Sequence, residues 1–300
     1  DLLKVLKENS ELKPLDDDLR ELFKSWFNPG FLRLAKITWD TKAAVLEKII
    51  QYERVHKIKD MNELKRRLGE DRRFISYFHP ALDDEPIIFV QVALTNGLGK
   101  SIQEIMKPSA EGAKKYDTAT FYSISNCQEG LSRVTLGNFL IKRVVYEIQE
   151  ELPNIKNFGT LSPIPGFRDW FTTLDESIIK NILGKIPYTN ISFLKNSNLK
   201  IGDGRIVSNK NAIIKLVAHY LINEKNKKNL PINDVCRFHL GNGAIIDDII
   251  INANVSEVGF NRSFGVMVNY LYELKNIEKN HEDYINNKKI IVSDKLKKLI

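Results

Sequence analysis

Thr118-Ala119-Thr120-Phe121-Tyr122-Ser123-Ile124-Ser125 reads as a strand, rich in β-branched and aromatic residues. After a connection that holds Gly130, Ser132 and Arg133, the residues Leu136, Leu140, Val144 and Ile148 fall four apart. That spacing predicts a helix over Leu136–Leu152, which Pro153 stops. Phe158–Ser162 then reads as a second short strand. A strand–loop–helix–strand unit of this kind implies a mixed α/β (α+β) fold, with the second strand lying beside Thr118–Ser125 as its parallel neighbour.

Working outward, Leu12, Leu15, Leu19, Leu22, Phe23 and Trp26 recur at steps of three and four and make one apolar helical stripe. Asp16, Asp17 and Asp18 suit the start of that helix, where the dipole is positive. Asn28-Pro29-Gly30 breaks the pattern and marks a boundary. So short a stripe must pack on something else or end a larger helical unit. Phe31–Thr38, Arg72–His79 and Pro86–Leu94 read as strands, the last two joined by Asp83-Asp84-Glu85. Lys42–Arg54 and Met61–Leu68 read as helices, the second with Gly69 as C-cap. Asn209–Asn223 reads as a helix and Ala244–Ala253 as a strand; the last 30 residues look helical.

The chain has 300 residues, a net charge of +7, 43% hydrophobic and 28% charged residues, which excludes collagen-like, mucin-like and wholly disordered classes. The longest apolar stretch, Ile87–Leu94, is interrupted by Gln91 and is too short to span a bilayer, so no membrane association is expected. The lysines are scattered. The one cluster, Lys225, Lys227 and Lys228, lies in an Asn-rich stretch that reads as a solvated loop, so no nucleic-acid partner is expected. Cys127 and Cys236 form neither a CxxC pair nor a disulfide framework, which favours a reducing compartment. We expect the cytoplasm, with the mitochondrial matrix as the alternative in a eukaryote. Asp1 opens the chain without an initiator Met, so no targeting assignment rests on its start, and Lys298-Leu299-Ile300 is not the peroxisomal Ser-Lys-Leu.

Three segments could carry chemistry. The first is Ser132-Arg133-Val134-Thr135-Leu136-Gly137-Asn138, at the start of the Leu136–Leu152 helix. Free N–H groups and the helix dipole suit a phosphate or pyrophosphate there, with Arg133 adding charge; the other reading is an ordinary loop capped by Thr135. It matches neither GxxxxGK[ST] nor GxGxxG. The second is Thr160-Leu161-Ser162-Pro163-Ile164-Pro165-Gly166-Phe167. Its prolines and glycine present Ser162 at a rigid turn; the other reading is that Ser162 caps a helix starting near Phe167. It is not the GxSxG elbow. The third is Cys236-Arg237-Phe238-His239-Leu240-Gly241-Asn242-Gly243-Ala244, a short helix started by Pro231 and Asn233 and ended by Gly241. It sets His239 in the last turn, where the helix dipole favours an imidazolium. No histidine has metal-ligand spacing with another, so no metal site is expected.

Together these segments resemble the malonyl-CoA decarboxylase family. The resemblance rests on Phe121 to Leu131, Leu136 to Lys142, Leu161 to Phe167 and Arg237 to Ala244, with Phe78 to Leu82, Glu85-Pro86 and Met267-Val268-Asn269-Tyr270 in the same order. It implies a catalytic domain with the GNAT acyltransferase fold over 30–300, preceded by the C-terminal part of an α-helical domain over 1–29. It implies that Ser162 and His239 are catalytic, that Ser132, Arg133, Val134, Thr135, Leu136, Gly137 and Asn138 form the acyl-CoA loop, and that Ser123 and Tyr272 line the site. One departure stands out. Some members carry a glutamate where this chain has Thr135, and a hydroxyl cannot serve as a carboxylate base, so Thr135 is assigned binding only.

The activity implied is that of a carboxy-lyase converting malonyl-CoA to acetyl-CoA and CO2, with no cofactor beyond the coenzyme A of the substrate. A homo-oligomer, a tetramer, is implied as well. The competing readings are a GNAT-type acyltransferase, a non-catalytic malonyl-CoA sensor and a nucleic-acid-binding protein; the last predicts steeply salt-dependent binding.

Overall fold

The computed structural model describes residues 5–6, 9–28, 30–107, 116–131, 137–196 and 198–299. The chain divides into two compact units. Of the described residues, the first takes those within 5–94 and 121–153, and the second those within 95–107, 116–120 and 154–299.

In the first unit β1 (Arg33–Lys36), β2 (Arg72–Phe78) and β3 (Pro86–Thr95, up to Leu94) are antiparallel neighbours, and β4 (Thr118–Asn126), which belongs to this unit from Phe121 on, follows β3. The expected strands are therefore present. Helices Ala43–Tyr52 and Met61–Arg67 bury Val45, Leu46, Ile49 and Leu64 against Phe74, Phe78 and Phe89 of β2 and β3. Burying such side chains is the main favourable contribution to a core of this kind, about 1.5–3 kcal/mol each. Gly69 is not the C-cap. Leu68 caps the helix with φ −99° and its N–H reaches Leu64 O, so the last turn closes without a left-handed residue.

The N-terminal helix runs Lys13–Trp26, starting three residues before the Asp cluster because Pro14 suits the first turn. Its apolar stripe is only partly covered: Leu15, Leu22 and Trp26 are exposed and Leu12, Leu19 and Phe23 half-buried, whereas Asp16 is buried and paired with Arg20. The helix C-terminus is held by His79, whose Nε2 lies 3.0 Å from Trp26 O and whose ring packs 5.0 Å from that of Phe27.

In the second unit the expected Phe158–Ser162 strand is two pieces, β5 (Asn157–Thr160) and β6 (Ser162–Pro163), both antiparallel to β8 (Met267–Leu271). β5 also adjoins the start of β4, where Asn157 Nδ2 donates to Thr118 Oγ1 at 3.3 Å. β7 (Ile245–Ile250) pairs with β8 too. Leu271 faces Gly159 on one side and Ile245 on the other, so β8 is the central strand. Its apolar run is brief and interrupted by Asn269, so it does not stand out as a strand in the sequence. Phe167, Phe171, Tyr220 and Phe264 pack edge-on in the core, with Phe167 5.6 Å from Tyr220. The C-terminal residues form helices Ile277–Asn287 and Asp294–Lys297.

Helix Asp234–Gly241 begins at Asn233, whose side chain accepts from Cys236 N at 2.9 Å. Just beyond it Gly243 has φ +81°, and a Cβ there would stand 2.1 Å from Ile277 O. Gly243→Ala is therefore expected to cost about 3 kcal/mol or more, combining left-handed strain with backbone overlap. Urea unfolding of the variant checks this, and a midpoint equal to that of the parent would contradict it.

Both cysteines are free and buried. Burial pushes the Cys236 thiol up to about 12, so it stays protonated. Among the described residues, no helix is long and apolar enough to cross a membrane.

Candidate active site

The second unit brings Ser162, His239 and Tyr272 together. β6 fixes Ser162 by pairing it with Val268. The turn after it is tied to the histidine's helix: Asn233, the N-cap of that helix, donates from Nδ2 to Pro165 O at 2.9 Å, and Tyr220 Oη donates to the same carbonyl at 3.1 Å. Ser162 does not cap the following helix, Phe167–Thr173, whose N-cap is Gly166 with φ +80°. Tyr272 follows β8, and its N–H donates to Phe158 O at 2.8 Å.

Both ring nitrogens of His239 are engaged. Nε2 lies 3.0 Å from Ser162 Oγ and Nδ1 lies 2.7 Å from Tyr272 Oη. The Tyr270 ring stacks on the imidazole at 4.5 Å and 26°. His239 is 3% exposed and Ser162 5%. Here the structure corrects the sequence reading. Burial pushes the imidazole down from 6.5 to about 3, so His239 is neutral at physiological pH rather than the imidazolium expected from the helix dipole. A dipole at a helix end contributes about 0.3–1 kcal/mol, up to about 2 when partly buried, and desolvation of a fully enclosed charge outweighs it. Burial also raises the Tyr272 and Tyr270 phenols well above 10, so both remain protonated.

Ser162 has a third partner that the sequence reading did not single out. Its hydroxyl donates to Thr160 Oγ1 at 2.8 Å. That oxygen also accepts from Tyr270 N at 3.2 Å, while Asn269 Nδ2 donates to Thr160 O at 2.6 Å and to Gly99 O at 3.0 Å. The signal for Thr160 was its position two residues before Ser162, where an extended chain puts both side chains on one face.

Ser123 belongs to the first unit, where it is buried and donates to the Glu53 carboxylate at 2.7 Å. Glu53 also accepts from Val55 N at 2.7 Å, His56 N at 2.9 Å, Ser125 Oγ at 3.4 Å and the Gln91 amide. A buried carboxylate persists only when its lone pairs are filled in this way. Gln91, the polar break in the apolar stretch of β3, is thus a partner of this carboxylate and accepts from Tyr122 Oη at 3.0 Å. Of the proposed acyl-CoA loop, Ser132, Arg133, Val134, Thr135 and Leu136 lie outside the described residues. Gly137 and Asn138 open helix Gly137–Glu151, and the Asn138 side chain is not among those described. Among the described residues, no three His, Cys, Asp or Glu side chains gather as metal ligands.

The family model for the malonyl-CoA decarboxylase C-terminal domain matches residues 30–300, and that for the N-terminal domain matches residues 1–27. The chain belongs to the malonyl-CoA decarboxylase family. It is 36% identical over 311 residues to mitochondrial malonyl-CoA decarboxylase of Anser anser anser, covering 96% of this chain and 62% of the goose protein. The chain therefore spans less than two thirds of that relative. Its structure is similar to malonyl-CoA decarboxylase from Rhodopseudomonas palustris, with TM-score 0.89 and 41% identity over 99% of this chain and 73% of that one. The loading GNAT-like domain of CurA from Lyngbya majuscula superposes with TM-score 0.50 at 11% identity, covering 82% of this chain and 98% of that domain, which shows a GNAT-like fold.

Proposed function

We propose that this protein decarboxylates malonyl-CoA to acetyl-CoA and CO2, with Ser162 and His239 handling the proton. The observation that carries the reading is the buried Ser162–His239 contact of 3.0 Å in a member of this family. When CO2 leaves, the electron pair of the broken C–C bond passes into the thioester carbonyl as an enolate. The thioester is its own electron sink, so the reaction calls on no further cofactor. The protein must align the breaking bond with the carbonyl, stabilise the enolate oxygen and protonate the α-carbon.

His239 is assigned as the proton source. It is neutral in the free protein, and the negative malonyl carboxylate arriving in a dry site favours its protonated form, so the proton enters with the substrate. Nε2 faces Ser162 and Nδ1 faces Tyr272, so the exit for the proton is through Ser162. The Ser162 hydroxyl proton goes to the α-carbon, Ser162 takes the Nε2 proton, and His239 is left neutral with its proton on Nδ1; loss of that proton and uptake of another at Nε2 restore the starting form. One proton is consumed per CO2 released. The stretch 132–138 is assigned to the coenzyme A pyrophosphate and Ser123 and Tyr272 to the substrate, on the family resemblance. We assign the active form as a homo-oligomer, a tetramer, and the compartment as the cytoplasm or the mitochondrial matrix.

An acyltransferase of the same fold would need an amine acceptor, and a sensor would bind without turnover. Purified protein mixed with malonyl-CoA alone is expected to release CO2 and acetyl-CoA, and Ser162→Ala to reduce that release by about 10²-fold. Release that waits for an added amine would replace this reading with the acyltransferase, and binding without release would replace it with the sensor.

A further inference from the structure

We propose that Thr160 is the positioning residue that sets the direction of the Ser162–His239 hydrogen bond, holding the serine proton away from the imidazole. The inference rests on the proposed decarboxylation for its kinetic consequence, but its geometric content stands apart from it.

Ser162 has one hydroxyl hydrogen, and the geometry directs it to Thr160 Oγ1 at 2.8 Å. Oγ then has only lone pairs to offer His239, so the hydrogen in the 3.0 Å contact must come from Nε2. With a neutral ring and Nε2 protonated, Nδ1 is bare and accepts from Tyr272 Oη across 2.7 Å. The chain of donors therefore runs Tyr272 to His239 to Ser162 to Thr160. This is the reverse of a nucleophilic serine, whose hydroxyl donates to its histidine. The polarity suits a protonation: the Nε2 hydrogen already points at the Ser162 oxygen that must be refilled.

Thr160 is itself fixed from the backbone of β8. Tyr270 N–H donates to its hydroxyl at 3.2 Å and Asn269 grips its carbonyl at 2.6 Å. Thr160 is 1% exposed, which keeps water from competing for the serine proton.

The test reads tautomer and turnover together. In uniformly 15N-labelled protein, the His239 signals are those of the five histidines that vanish in His239→Gln. They are expected to show protonated Nε2 and bare Nδ1 in the parent. Thr160→Val frees the serine hydrogen, so the His239 tautomer is expected to move toward protonated Nδ1. Its kcat for malonyl-CoA is expected to fall about tenfold, roughly one hydrogen bond's worth, with KM within about twofold. Thr160→Ser keeps an oxygen at the same place and is expected to restore both. A parent with protonated Nδ1 would overturn the proposal without recourse to any variant. So would unchanged turnover in Thr160→Val, or a Thr160→Ser variant as slow as the valine one. If the parent releases no CO2 at all, the decarboxylase reading falls, and the tautomer alone decides the role of Thr160.

Discussion

His239→Gln is expected to lower CO2 release from malonyl-CoA by about 10²-fold or more, the scale of a lost general acid–base residue. Glutamine can still hydrogen-bond Ser162 and Tyr272, so the variant isolates the missing proton from the missing contact. Near-normal release from a folded His239→Gln protein would sink the assignment. The same assignment fixes the pH profile. The free imidazole is neutral above about 3, so the protonated fraction falls tenfold for each unit above that value. If the proton enters with the substrate, kcat/KM falls steadily as pH rises across the neutral range, with no inflection near the ordinary histidine value of 6.5. A plateau that breaks near 6.5 would mean that His239 is solvated in the working protein.

The second large effect is on stability in acid. In the unfolded chain His239 takes up a proton near 6.5, whereas in the folded protein it does so only near 3. Between those values the unfolded state binds a proton that the folded state refuses, so folding weakens as pH falls. The loss is about 1.4 kcal/mol per pH unit, on the order of 5 kcal/mol in all, and nothing is lost above about 6.5. His239→Gln removes this term. On moving from about pH 7.5 to about pH 5, the parent is expected to lose about 2 kcal/mol more than the variant in urea unfolding. Equal losses in the two proteins would show that the imidazole is not held neutral by the fold.

Much of the architecture was legible because it is written at short range. The four-residue spacing of Leu140, Val144 and Ile148 and the breaks at Pro153 and Gly241 depend on neighbours within a turn or two of chain, and the elements formed where expected. Ser162 and His239 were visible through the motifs around them. β8 was not, because it is short and its Asn269 reads as a polar interruption. That residue is 1% exposed and spends its amide on two backbone carbonyls, Gly99 O and Thr160 O.

The sequence by itself determined most of the elements and their order, though not β8, together with the family and the pair of residues proposed for the chemistry. Only the tertiary structure decided the state of that pair. Ser162 and His239 are 77 positions apart, and their 3.0 Å contact depends on β6, β8 and the Asn233 cap meeting in one place. The neutral imidazole is likewise a property of everything that surrounds it, since desolvation sums over the enclosing shell and outweighs the local helix dipole. For the same reason Ser123, a small polar residue in a strand as far as its neighbours reveal, turns out to donate to a buried carboxylate 70 positions away.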